Sequence, residues 1–369
     1  CRGARGPGCG SGHCKRPFCR QRTPDPKLAS FSGEFLMARP ADHPPVQSGR
    51  IGVLLINLGS PEAPTTAAVS TYLKEFLSDR RVVEIPPLLW QPILRGFVLT
   101  TRPRRSAHAY AQIWTEEGSP LVAITRRQAA GVQTALGSEV VVDWAMRYGQ
   151  PSIGDRLTAL QAAGCDRILL APLYPQYSSA TTATVFDAAA AALAEMRWQP
   201  SLRVLPPYYD DPAYIGALEA SVATGLAALP FVPDTIIASF HSLPARTLDL
   251  GDPYYCQCMK TARLLSEALG RELKISFQSR LGRAKWLEPA TDATLSNLPQ
   301  SGVRKIAIIA PGFAADNLET LEELAIRGRE SFIEAGGTDF AYLPCLNDSV
   351  PGISMLSTLL SRELAGWLT

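Results

Sequence analysis

Ile51-Gly52-Val53-Leu54-Leu55-Ile56-Asn57-Leu58 is an apolar run with almost no polar interruption. An alternating run would mark a strand with one wet face; a continuous one marks a strand buried on both faces, as in a parallel sheet covered by helices. The same texture returns at 139–146, 167–173, 202–206, 234–240, 273–277, 303–310 and 339–343. Amphipathic or Ala-rich stretches separate these runs, at 65–79, 120–136, 153–163, 181–195, 211–228, 257–269 and 319–335. Strand and helix patterns in alternation predict an α/β protein built as two Rossmann-like, doubly wound lobes with parallel sheets and a cleft between them. The expected divisions are a leader over 1–48, a first lobe over 49–195 and a second over 196–369, its last helix packing back on the first lobe. No G-x-G-x-x-G or Walker A sequence follows any run, so a nucleotide site is not indicated.

Composition is consistent with this outline. The 369 residues are 46% hydrophobic and 19% charged, with a formal charge of +2. That charge is unevenly placed: residues 1–36 carry seven Lys/Arg against Asp25 and Glu34, a net +5, which leaves −3 on the rest. A mildly acidic body does not favour a nucleic-acid face. The leader is rich in Gly, Arg and Pro and holds Cys1, Cys9, Cys14 and Cys19 at irregular spacings unlike paired metal ligands. It reads as a disordered or over-extended segment preceding a start at Met37. Cys165, Cys256, Cys258 and Cys345 are scattered through the body, where disulfides are not expected. Residues 87–99 (PLLWQPILRGFVL) stand apart, either as a core helix or as an apolar lip over a pocket touching a membrane surface.

Ligands of open parallel sheets bind beyond the carboxyl ends of the strands. His241, one of four histidines, directly follows a strand run and precedes Ser242-Leu243-Pro244. It is either a base or metal ligand near neutral pH or a loop histidine bonded to backbone. In the acidic stretch 316–323, Asp316-x-x-Glu319 has the form of a capping box. Alternatively Asp316, Glu319 and Glu323 share one helical face as a carboxylate row that relays protons or passes a divalent cation. Tyr148, Tyr174, Tyr177, Trp286 and Phe313 offer flat apolar walls, and Arg102, Arg147 and Ser119 can hold carboxylates. Together these suit a slot for a large flat molecule with acidic substituents.

The motifs at these positions resemble those of the ferrochelatase family. They are Leu55-Ile56-Asn57-Leu58-Gly59-Ser60-Pro61-Glu62, Met146-Arg147-Tyr148, Tyr174-Pro175-Gln176-Tyr177-Ser178, Phe240-His241-Ser242-Leu243-Pro244, Gly251-Asp252-Pro253-Tyr254, Phe277-Gln278-Ser279-Arg280-Leu281-Gly282, Lys285-Trp286-Leu287-Glu288-Pro289 and the run from Pro311 to Glu323. They follow the family's order from residue 51 onward. The resemblance implies insertion of Fe2+ into protoporphyrin IX, with release of two protons, to form haem b in the last step of haem biosynthesis. It implies that His241 takes pyrrole protons or binds the incoming metal, that Glu319 is its acidic partner, and that Asp316 and Glu323 form a metal or proton conduit behind. Leu58, Arg147, Tyr148, Trp286 and Phe313 match macrocycle-wall positions; Arg102, Tyr110 and Ser119 match groups near the propionates. Asn317 stands where some members carry a second histidine. Iron is then a substrate, no cofactor is required, and the expected protein is a cytoplasmic monomer without an iron–sulfur cluster, in peripheral contact with a membrane at most. The competing readings are a chelatase for another metal or a more carboxylated tetrapyrrole, and a non-catalytic haem-binding protein.

Overall fold

The computed structural model describes residues 48–280 and 284–368. The expected leader, apart from Ser48, and the Leu281-Gly282 end of one motif lie outside the described residues. Eight strands form two four-stranded parallel sheets. The first contains β1 (Arg50–Gly59), β2 (Val140–Tyr148), β3 (Cys165–Pro172) and β4 (Ser201–Val204) in the order β2-β1-β3-β4. The second contains β5 (Thr235–His241), β6 (Leu273–Gln278), β7 (Lys305–Ile309) and β8 (Asp339–Tyr342) in the order β6-β5-β7-β8. The two sheets thus repeat one winding pattern, and both lie in a single compact unit. All eight apolar runs are strands.

β1 shows why its run is continuous. Val53 and Leu55 face one core, while Leu54 and Ile56 face another, and all four are fully buried. β5 and β7 do the same: Ile236, Ala238, Phe240, Ala307 and Ile309 join the first core, whereas Ile237, Ile306 and Ile308 face a third. A strand with apolar neighbours on both faces needs no polar alternation.

The helices are α1 (Thr66–Ser78), α2 (Pro87–Ile93), α3 (Leu99–Ile113), α4 (Pro120–Leu136), α5 (Ile153–Ala162), α6 (Thr182–Ala194), α7 (Pro212–Ala227), α8 (Ala245–Asp249), α9 (Tyr254–Leu269), α10 (Thr291–Asn297), α11 (Arg329–Glu334) and α12 (Val350–Leu364). The expected helix at 319–335 is two pieces: a π-helix, Glu319–Gly328, runs directly into α11. Its wider i→i+5 turns are frequently found at functional sites. α12 packs on α4 and α7, with Met355, Leu356, Leu359 and Leu360 in the largest core.

One expected boundary needs correction. A division at 195/196 severs β4, whose Ser201–Val204 pair with Arg167–Leu170 of β3. The first sheet therefore ends at Val204. The short β4 is only partly buried, so its sequence carries little strand signal.

Residues 87–99 are not a core helix. α2 and a π turn (Leu94–Val98) leave Leu88 92% and Phe97 67% exposed, with Leu89 and Ile93 also open, while Leu94 is fully buried. The segment is fastened from below by Trp90 Nε1, which donates to the Leu77 carbonyl at 2.6 Å. Among the described residues, no helix is long and apolar enough to cross a membrane.

Candidate active site

The carboxyl ends of β1, β2, β5 and β6 and the segment that follows β7 supply the candidate side chains. Gly59 closes β1 with φ +114°, and a Cβ there would lie 1.8 Å from the Tyr148 carbonyl oxygen. Only glycine permits that approach, which places Leu58 beside Leu121, Ile124 and Ala315.

His241 is the last residue of β5, in register with Gln278 on β6. Its ring meets Phe313 edge-on at 6.4 Å between centroids. Surrounding protein disfavours the imidazolium and lowers the His241 pKa to about 4. At neutral pH the ring is therefore uncharged.

Glu319 opens the π-helix; Leu318 just before it, with Leu321 and Ile326 within it, packs on Val69 of α1 and on Ala107, Tyr110 and Ile113 of α3. Burial raises its pKa to about 7, opposed by a backbone hydrogen bond and reinforced by the negative charges of Glu323 and Glu322. Tyr72 and Tyr110 both lie within electrostatic reach of Glu319. Gln278 joins the two candidates: its Nε2 donates to the Glu319 carbonyl at 3.0 Å, while its own backbone carbonyl accepts from Ser242 N at 2.8 Å. Gln278 Oε1 accepts from Ser239 at 2.7 Å, and Thr291 and Ser276 continue this buried chain. The sequence places Gln278 in a motif without indicating this role, because the bond reaches 41 residues along the chain.

Glu323 follows on the π-helix, its carboxylate accepting the Ser279 N–H at 2.8 Å and the Ser279 hydroxyl. Ser279 adopts φ +68°, a left-handed conformation unusual for a residue with a side chain. Burial raises the Glu323 pKa, and the Ser279 bonds oppose the rise.

Asp316 does not join that row. It precedes the helix, and its carboxylate is buried under four donors: Tyr342 Oη at 2.5 Å, Asn347 Nδ2 at 2.6 Å, Thr320 Oγ1 at 3.1 Å and Cys345 N at 3.3 Å. The helix cap is Asn317 instead. Asn317 Oδ1 accepts from Thr320 N at 3.1 Å, and Asn317 N donates to Thr320 Oγ1 at 3.0 Å. The box is therefore Asn317/Thr320 and not Asp316/Glu319.

The expected wall residues divide. Leu58, Phe313 and Trp286 are half-buried, with Trp286 bridged by backbone to Pro244. Tyr148 is 1% exposed and donates to Asp79 Oδ2 at 2.9 Å. Arg147 also bonds Asp79, at 2.5 Å, and the Thr184 carbonyl at 2.9 Å, stacking over the Tyr148 ring. Both residues thus direct their polar atoms to protein partners, and Asp79, which no motif flagged, neutralises the guanidinium. Of the expected propionate group, Tyr110 is buried towards Glu319, and Ser119 is buried at the start of α4 with no side-chain capping bond. Arg102 is half-buried on α3, its pKa lowered by burial and by Arg105.

Cys165, Cys258 and Cys345 are buried and Cys256 is exposed. No three His, Cys, Asp or Glu side chains among the described residues converge as a metal set.

A family model for ferrochelatase matches residues 50–364, nearly all of the described chain. This chain belongs to the ferrochelatase family. The ferrochelatase of Rhizobium meliloti (strain 1021) is 55% identical over 334 residues, covering 89% of this chain and 98% of that protein. The ferrochelatase of Methylocella silvestris is 50% identical over 337 residues, covering 88% and 97%. Among solved structures, "SirB from Bacillus subtilis with Fe3+" matches with a TM-score of 0.52 at 12% identity, over 86% of this chain and 96% of that one, a likeness of fold alone. As a ferrochelatase, the chain inserts iron into a porphyrin in haem synthesis, with both as substrates.

Proposed function

We propose that protoporphyrin IX lies between the His241 and Glu319 sides of the site, against Leu58, Trp286 and Phe313, with Arg147 and Tyr148 bracing the wall. Rigid apolar walls that bend a planar macrocycle tilt its nitrogen lone pairs out of plane and open a face to the metal. His241, uncharged above about pH 4, accepts pyrrole protons as Fe2+ enters. Glu319, near half-ionised at neutral pH, attracts the cation and then releases it, and Glu323 serves as its proton relay. Asp316 positions this machinery by fixing the start of the π-helix. Arg102 and Ser119 are assigned to the propionates on their match to the family's motifs. The observation that carries this reading is the contrast between an uncharged imidazole and a carboxyl titrating near neutrality, on backbone that meets at Gln278, which pairs with His241 in the sheet and bonds the Glu319 carbonyl.

The test is anaerobic incubation with protoporphyrin IX and Fe2+, Zn2+ or Co2+, followed by metalloporphyrin absorbance. Iron and zinc insertion is expected, with Glu319→Gln slower by about a hundredfold or more. Porphyrin binding without turnover by the unaltered enzyme contradicts the reading and favours a binding protein. We further propose that exposed Leu88, Leu89, Ile93 and Phe97 form a lip that touches a membrane surface, from which an apolar porphyrin can be taken up.

A further inference from the structure

A recess of about 160 Å3 opens behind Glu323, lined among others by Ser279, Arg280, Asp292, Arg327 and Ser331. The π-helix places a residue facing this region every four to five positions, so the succession from the site outward is Glu319, Glu323, Arg327. The sequence leads one to expect a carboxylate row ending at Glu323, with Asp316 at its other end. With Asp316 withdrawn into its own bonds, the row is a pair of carboxylates, and its outer end is a guanidinium. Arg327 Nε donates to Glu322 at 2.8 Å, and the Arg327 side chain is half exposed. Arg280, on the same recess, holds both oxygens of Asp292 at 2.8 and 2.9 Å. Among the described residues, each carboxylate at or beside the recess is thus already engaged: Asp292 by Arg280, Glu322 by Arg327 and Glu323 by Ser279.

A divalent cation needs several oxygen ligands to replace its water, and these carboxylates are committed elsewhere. Such an ion must also pass a guanidinium that stays protonated at any working pH; Glu322 offsets that charge only in part, through one bond to Nε of a half-exposed side chain, and the remaining repulsion doubles with the ion's second charge. Water suffers neither penalty. We propose that Arg327 closes the outer end of the Glu319–Glu323 pair to divalent cations. Iron then reaches Glu319 from the porphyrin side, and the recess passes only water and protons. This rests on the reading of Glu319 given above.

The test compares Arg327→Gln and Arg327→Glu with the unaltered enzyme, using Zn2+ at saturating protoporphyrin IX. Arg329→Glu, an exposed charge reversal two residues on and outside the recess, is the control. Opening the recess lowers the KM for Zn2+ about threefold in Arg327→Gln and about tenfold in Arg327→Glu, by removal and then inversion of one charge. The porphyrin KM stays within about twofold in both, and the Zn2+ KM of Arg329→Glu does also. An unchanged Zn2+ KM in both Arg327 variants, or an equal fall in Arg329→Glu, overturns the proposal. If Arg327→Glu does not fold, Arg327→Met removes the same single charge as Arg327→Gln and is expected to lower the Zn2+ KM by the same roughly threefold factor. A Glu319→Gln enzyme with full turnover overturns the underlying reading instead, whatever the Arg327 variants show.

Discussion

Replacing Glu319 with glutamine separates function from stability, with a sign that reverses ordinary expectation. The Glu319 carboxyl is raised from 4.5 to about 7 by burial. Below pH 4.5 it is protonated in folded and unfolded chains alike, and the stability it permits is fully present. As pH climbs towards 7 the unfolded chain releases this proton before the folded one does, so folding is progressively penalised. Above pH 7 the full penalty applies, about 3 kcal/mol from the size of the shift. Solvent access to the half-buried side chain trims this to about 2 kcal/mol. Unfolding entropy of about 2 cal/mol/K per residue over the folded body converts that into about 3 °C in Tm. A glutamine side chain cannot ionise, so the variant's Tm advantage over the unaltered enzyme grows by about 3 °C between pH 5 and pH 8.5, while its iron insertion collapses. His241, lowered to about 4, titrates with the opposite sign, but it is present in both proteins and cancels. Differential scanning fluorimetry across this range is the assay. A Tm difference that stays flat, or that shrinks as pH rises, refutes the reasoning.

The remaining predictions concern Asp316 and the lip. Asp316→Ala leaves four donors facing a buried void and is expected to lower stability by about 3–5 kcal/mol in urea unfolding. The Zn2+ KM of the folded fraction stays near that of the unaltered enzyme; a raised metal KM with unchanged stability would return Asp316 to the conduit. Leu88→Glu with Phe97→Glu alters two exposed side chains, so Tm shifts by less than about 1 °C, while co-sedimentation with anionic vesicles falls severalfold; undiminished co-sedimentation removes the lip from the membrane contact.

Legibility in the sequence follows the range of the interactions involved. Strands whose residues face two cores announce themselves by composition, so Val53–Ile56 and Ile306–Ile309 can be read directly. β4 is short and half-buried, and without its pairing to β3 its residues fall to the wrong lobe. His241 is visible because the strand that carries it ends there. The acidic stretch is ambiguous because Asp316 and Asn317 are both good caps; Tyr342 and Asn347, 26 and 31 residues away, take Asp316 out of contention. Arg147 and Tyr148 look like ligand contacts until Asp79, 68 and 69 residues earlier, is seen to hold them. The π-helical winding has no signature in a pattern that also suits an α-helix, and with it the place of Arg327 stays hidden.

The central claim is that His241 takes the pyrrole protons during metal insertion. It is tested most directly by a single-turnover experiment on His241→Ala, with porphyrin binding followed by fluorescence and iron insertion by absorbance in the same anaerobic sample. The account predicts that protoporphyrin IX binds within a fewfold of the unaltered affinity while insertion is lost. Insertion at the unaltered rate would contradict it.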